Sequence, residues 1–158
     1  MGQKVTITLT VDAANLQAIT NPTATDIENN TTLTDDNHGA PSAINADFTS
    51  DVFIDSDVRW VGVTNDPGYA IAIHSIVYVP VNKGPSVDFF NAPVLTRSSK
   101  RYGYVEAKVN NDQNLDGALY CYHINFKIHV LGGCLLPGLG LDKVLGPFEI
   151  DPKLRGNA

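Results

Sequence analysis

The chain has 158 residues, 43% of them hydrophobic and 18% charged. That is the length of one domain, with enough apolar material for a packed interior, so neither a disordered chain nor a second globular unit is expected. A formal net charge of −6, from 17 acidic and 11 basic side chains, favours solubility and argues against a nucleic-acid binder, whose phosphate-facing surface is basic.

The amino-terminal stretch MGQKVTITLTVD has no basic segment leading into an apolar run and a cleavage site. The expected location is therefore the cytoplasm. Lys4 to Asp12 alternates strictly, with Val5, Ile7, Leu9 and Val11 on one side and threonines on the other, which predicts a half-buried strand. Asp12 is a suitable N-cap for a short helix over Ala13 to Ile19, stopped by Asn21-Pro22. Residues 20–46 are rich in Thr, Asn, Asp and Pro and read as a long polar loop region with at most one short strand.

Strand patterning returns over Ala46 to Ile54 and Asp57 to Thr64, the latter with Val58, Trp60 and Gly62 on one side. Asn65-Asp66-Pro67-Gly68 is a turn. Further strands are expected over Tyr69 to Val81, Tyr102 to Val109 and Leu119 to Leu131, with Pro137-Gly138 as another turn and a short final strand at Phe148 to Asp151. Arg97-Ser98-Ser99-Lys100-Arg101 is the one basic cluster, and such a run is most often a solvated loop. The longest apolar stretch, Tyr69 to Val81, is far short of the roughly 20 residues a membrane helix needs, so no membrane association is expected. Many strands bounded by Gly, Pro and Asn, with little helical period, predict a single all-β domain over 1–158. The expected architecture is an antiparallel β-sandwich, jelly-roll-like or immunoglobulin-like.

Asp112-Gln113-Asn114-Leu115-Asp116-Gly117 matches D-x-N-x-D-G, the first half of a calcium loop, in which alternate oxygens wrap a hard cation and Gly permits a sharp bend. Asp112, Asn114 and Asp116 are thus the candidate metal ligands. The twelfth position, where a calcium loop has a bidentate Glu, is His123, and strand alternation follows in place of a helix. Asn, Asp and Gly are also hairpin residues, so a plain turn explains the same letters without a cofactor.

Two cysteines, Cys121 and Cys134, are too few for a disulfide scaffold or a thiolate zinc site and read as buried thiols. Of the histidines, His38, His74, His123 and His129, the last two share a strand face but stand about 20 Å apart, too far for one metal. A blue-copper site needs two His, a Cys and usually a Met, and Met1 is the only methionine. No nucleophile elbow, Walker loop or H-E-x-x-H occurs, so no enzyme is expected. Trp60 and the six tyrosines lie on or beside predicted strands, where core packing is their commoner fate. Tyr120 and Tyr122 share a face with Ile124, Phe126, Ile128 and Val130, opposite Cys121, His123, Asn125, Lys127 and His129.

Several segments together carry a resemblance. V-T-I-T-L-T-V-D near the start, D-V-R-W at 57–60, Y-A-I-A-I-H-S-I-V-Y at 69–78, Y-C-Y-H-I-N-F-K-I at 120–128 and G-P-F-E-I-D-P at 146–152 fall in an order that resembles the bacterial PixA/AidA inclusion-body proteins. The chain departs from that pattern in lacking the closing Trp-Asp-Pro-Phe arrangement and in carrying an additional segment from Cys134 to Leu145. The resemblance implies a small cytoplasmic β-sandwich that is abundant and self-associating, with no catalytic residues to carry over. The leading expectation is a non-enzymatic homo-oligomer. The alternative is a carbohydrate-binding module, calcium-dependent through Asp112, Asn114 and Asp116, with a glycan as partner.

Overall fold

The computed structural model describes residues 2–37, 45–80, 86–98, 103–131 and 143–158. The first alternating stretch forms β1 (Val5–Val11), whose apolar row, Val5, Ile7, Leu9 and Val11, is at most 1% exposed. Asp12 caps the short helix α1 (Ala13–Ala18) as expected, accepting hydrogen bonds from the Asn15 backbone and side chain. The strands that follow are β2 (Thr31–Asp35), β3 (Thr49–Phe53), β4 (Asp57–Val63), β5 (Tyr69–Tyr78), β6 (Val94–Thr96), β7 (Val105–Lys108), β8 (Leu119–Val130), β9 (Lys143–Ile150) and β10 (Lys153–Asn157).

They form two sheets, one ordered β2-β1-β4-β7 and the other β3-β10-β8-β5-β6, with β9 also paired to β8. The all-β sandwich is therefore present, but its sheets are mixed. β1 runs parallel to β4, and β3 parallel to β10, where an antiparallel arrangement was expected. Alternation fixes which side of a strand is buried and carries no information on the direction of its neighbour. Parallel neighbours need a long connection, and the segment from β1 to β4, containing α1, a second helix, β2 and β3, is one.

That second helix, α2 (Ala24–Asn29), stands where a polar loop was expected over 20–46, and β2 is the short strand that reading allowed. Thr23 and Asp26 form a reciprocal capping box: Thr23 Oγ1 accepts from the Asp26 N–H at 3.2 Å, and the Asp26 carboxylate accepts from the Thr23 N–H at 2.8 Å. Two backbone donors at the helix start are thereby satisfied. The chain after the helix is held by Asn45, which is 1% exposed. Its side-chain amide donates to Glu28 at 3.0 Å and to Thr31 Oγ1 at 2.7 Å, and its backbone N–H also donates to Glu28.

The core lies between the sheets and is dominated by rings. Trp60 of β4 is fully buried and meets Tyr122 of β8 and Phe90 edge-on, with centroids 5.8 Å apart in both cases. Tyr120 packs against Phe89, Phe90, Tyr78 and Tyr122 at 5.2–5.4 Å. The Trp60 indole N–H donates to the Tyr122 hydroxyl at 3.1 Å, a buried hydrogen bond joining the two sheets. Burial raises the Tyr122 phenol above its ordinary pKa, so it stays neutral, and its oxygen lone pairs accept from the indole.

Tyr122→Phe keeps the ring and leaves the Trp60 N–H without its acceptor. A buried unsatisfied donor costs about 1–3 kcal/mol. Urea unfolding of the variant is expected to show a loss in that range with an unchanged m-value; an unshifted midpoint would show that the hydrogen bond does not hold the sheets together.

Candidate functional site

The residues Asp112 to Gly117 link β7 to β8, strands that belong to opposite sheets. The segment is therefore a crossover and not the hairpin that Asn, Asp and Gly also suggest. It folds as a 3₁₀ turn over Gln113–Leu115, started by the Asp112 carboxylate, which accepts from the Asn114 N–H at 2.9 Å. Gly117 has φ +75°, a conformation that favours glycine. Asp116 accepts from the Ala158 N–H at 3.0 Å, and backbone bonds join Gly117 to Gly156 and Gly156 to Ala118.

Leu115 is buried, and its carbonyl lies so close to Gly156 that a Cβ there would stand 2.1 Å away. The loop is thus knitted to the carboxy-terminal strand β10, and both candidate carboxylates already serve backbone donors. His123, at the twelfth position, lies on β8 with its Nδ1 3.3 Å from Glu149 on β9. Among the described residues no group of three His, Cys, Asp or Glu is placed to hold a metal ion.

The outer face of the β8 sheet carries Cys121, His123, Asn125 and Lys127, as the alternation predicts, while Tyr120, Tyr122, Ile124, Phe126 and Ile128 face inward. His74 is on the neighbouring strand β5, at a register irregularity opposite Phe126 and Asn125. Partial burial and the positive charges of Lys127 and Arg97 lower its pKa. Cys121 is a free thiol. Cys134, His38, Tyr102, the Lys100-Arg101 half of the basic cluster and the Pro137-Gly138 turn lie outside the described residues. The rings that could stack on a sugar are mostly committed elsewhere. Trp60, Tyr120 and Tyr122 are in the core, Tyr69 and Tyr78 donate to Gln17 and the Ser86 carbonyl, and Tyr104 lies under the Arg59 guanidinium at 4.2 Å.

The other sheet presents a different outer face. Thr6, Thr8 and Thr10 of β1 point away from the core. Thr34 and Thr32 of β2 stand opposite Thr8 and Thr10 in register, and Val61 and Val63 of β4 flank the same two residues on the other side. Val63 is 42% exposed. Below this plain of hydroxyls and methyls, Glu106 accepts from both Lys4 and Arg59. Those hydrogen bonds hold its carboxyl below the usual range, and Lys108 pairs with Asp55 at 2.8 Å. Above it, Thr10, Val11, Asp12, Asn30, Thr32, Asn65 and Asp66 line a cleft of about 280 Å³. Asp66 accepts from the Ala14 N–H at 3.0 Å there. The threonines were legible in sequence only as the polar side of a strand; their alignment with Thr32, Thr34, Val61 and Val63 depends on strand order.

The sheet edges are guarded. β6 has three residues, β7 carries Glu106 and Lys108, and β9 is interrupted by Gly146-Pro147 with a shift of register against β8. Proline lacks an N–H and charged or irregular edges resist strand addition. α2 lies against β9. β2 is tied to β3 by Ser50 donating to Asp35 and by the Asn37 amide donating to the Asp51 carbonyl at 2.9 Å. Asp51 in turn receives a two-pronged contact from Arg155 of β10, at 2.6 and 3.0 Å.

Two measurements follow from these contacts. A calorimetric titration with calcium is expected to give no saturable heat, and a heat that disappears in Asp116→Ala would restore the metal reading. Because the Glu106 carboxyl is depressed in the folded state, its stabilisation is present above the unfolded carboxylate pKa of about 4.3 and is lost as pH falls through the folded value. Glu106→Gln is therefore expected to flatten the acid limb of a stability-against-pH curve; an unchanged limb would show that the Lys4–Glu106–Arg59 cluster is not felt.

No family model matches the chain, and no match to a curated protein was found. Among solved structures it is similar to an inclusion body protein (PixA) from Burkholderia cenocepacia, with a TM-score of 0.67 and 12% sequence identity over 99% of this chain and 96% of that one. The likeness runs end to end, and it establishes that this chain has the fold of the PixA inclusion body protein.

Proposed function

We propose that the protein is a non-enzymatic, self-associating protein of the inclusion-body type, acting in the bacterial cytoplasm as a homo-oligomer. The observation that carries this reading is the likeness of fold to the PixA inclusion body protein over nearly the whole of both chains. The surface chemistry is in keeping with it. The blunted sheet edges disfavour uncontrolled strand addition, while the threonine and valine face is a broad region whose bordering ion pairs are neutralised within the chain. Such a molecule stays soluble when dilute, through its net charge of −6, and associates when concentrated.

Light scattering behind a sizing column over a hundredfold range of concentration tests this. The weight-average mass is expected to rise above the 17.0 kDa of one chain as concentration increases. A mass fixed at 17.0 kDa throughout would overturn the reading.

A further inference from the structure

The bulge in β5 changes which side chains reach the outer face of the β8 sheet. Ile73 and Ile76 are both buried in the core although they are three residues apart, so the two residues between them, His74 and Ser75, both belong to the outer side. A bulge re-aims side chains that strict alternation would send to opposite faces. His74 is exposed there, while Ser75 keeps only 8% exposure.

Positive charge gathers around this point from both neighbouring strands. Lys127 of β8 stands opposite Ala72, and Arg97 directly follows β6, whose Thr96 stands opposite Ser75. These two are the charges that act on the His74 ring, and no carboxylate counters them there. Lys4, Arg59, Lys108 and Arg155 each meet a carboxylate of the chain, whereas among the described residues Arg97 and Lys127 meet none. In a chain with 17 acidic side chains, this arrangement still leaves like charges side by side, which destabilises the strands that carry them. Glu149, opposite Asn125 on β9, is turned to His123, and His129 stands opposite Ala70. Neutral donors complete the group. The Asn125 amide donates to the Ser75 hydroxyl at 3.2 Å, which leaves the hydroxyl hydrogen and a second amide hydrogen without an acceptor among the described residues.

We propose that His74, Ser75, Arg97, Asn125 and Lys127 form a binding site for a single phosphate group. A carboxylate is satisfied by one guanidinium fork. Here two cations, a histidine able to become the third and two neutral donors lie across about 10 Å, the width of two strand spacings, and suit the charge of about −1.5 to −2 and three acceptor oxygens of a phosphomonoester. A nucleic-acid backbone needs a run of such contacts, and the net charge of −6 repels it. The phosphate supplies the negative charge that this part of the sheet lacks, and it draws a proton onto the His74 ring.

That ring reports on the site directly. Its Cε1–H signal is followed by NMR while sodium sulfate, an anion that does not titrate near neutral pH, replaces sodium chloride at constant ionic strength, and again with inorganic phosphate. A saturable shift is expected in both series, together with a rise in the His74 pKa that chloride does not give. Arg97→Gln and Lys127→Gln are each expected to weaken binding at least about tenfold, the loss of one charge-assisted hydrogen bond, while Lys153→Gln, opposite Cys121 on the same face, leaves it unchanged. A shift that does not saturate, or that Lys153→Gln weakens as much, would show general screening of charge and overturn the site. If a variant melts early, His74→Gln takes its place, and the rise of the melting temperature with sulfate is expected to be smaller than in the wild type; an equal rise would overturn the site. Glycerophosphate and vesicles of phosphatidylcholine containing phosphatidic acid then separate two sources of the group. Binding of glycerophosphate alone assigns a soluble phosphomonoester, retention on the vesicles that is lost in Arg97→Gln assigns a lipid headgroup, and binding of neither overturns the proposal.

Discussion

The structure depends on keeping the Trp60 indole between the two sheets with its N–H satisfied. A fully buried tryptophan contributes a large apolar surface, yet its one polar group would count against burial if it were left without an acceptor. Tyr122 supplies that acceptor from the opposite sheet at 3.1 Å. This single contact relates β4 to β8 and sets the spacing at which Phe89, Phe90, Tyr78 and Tyr120 fill the remaining space. With the inner rows held so, the outer rows are fixed as well, because every strand residue pointing inward determines the direction of its neighbours. The threonines of β1 face outward because Val5, Ile7, Leu9 and Val11 cannot.

The same logic explains why the molecule offers faces rather than edges. An exposed strand edge carries unpaired N–H and C=O groups and recruits other chains without control. Here the edges are short, charged, interrupted by Gly146-Pro147 or bound to a neighbouring element such as β3 or α2. A sheet face has no unpaired backbone, and its contacts depend on side-chain shape and charge. Contacts through a face are therefore weaker and more selective than strand addition at an edge. The crossover at Asp112 to Gly117 belongs to the scaffold in this account: its oxygens hold the carboxy-terminal strand through Ala158, and its glycine takes up φ +75°.

Much of the fold was legible in the sequence. The strands β1, β4, β5 and β8 announce themselves by period, Asp12 as an N-cap is visible from the letters alone, and the inward set on β8 reads directly from Tyr120 to Ile128. What was not legible has specific causes. α2 was hidden because its face is mostly polar, although Thr23 and Asp26 carry a capping signal. β10 was hidden because one of its two inward residues is Gly156, which has no side chain and serves the close approach of Leu115. β6 is too short to show a period. The parallel pairing of β1 with β4 could not be read at all, since it depends on long-range packing, and with it went the threonine and valine face. D-x-N-x-D-G is ambiguous as a string of letters, because capping, turning and calcium binding all favour the same oxygen-bearing residues.

The central proposal is that copies of this chain associate as their concentration rises. Small-angle X-ray scattering over a concentration series tests it most directly. The mass from forward scattering is expected to rise above the 17.0 kDa of one chain as concentration increases. A mass that stays at that of one chain across the whole series would contradict it.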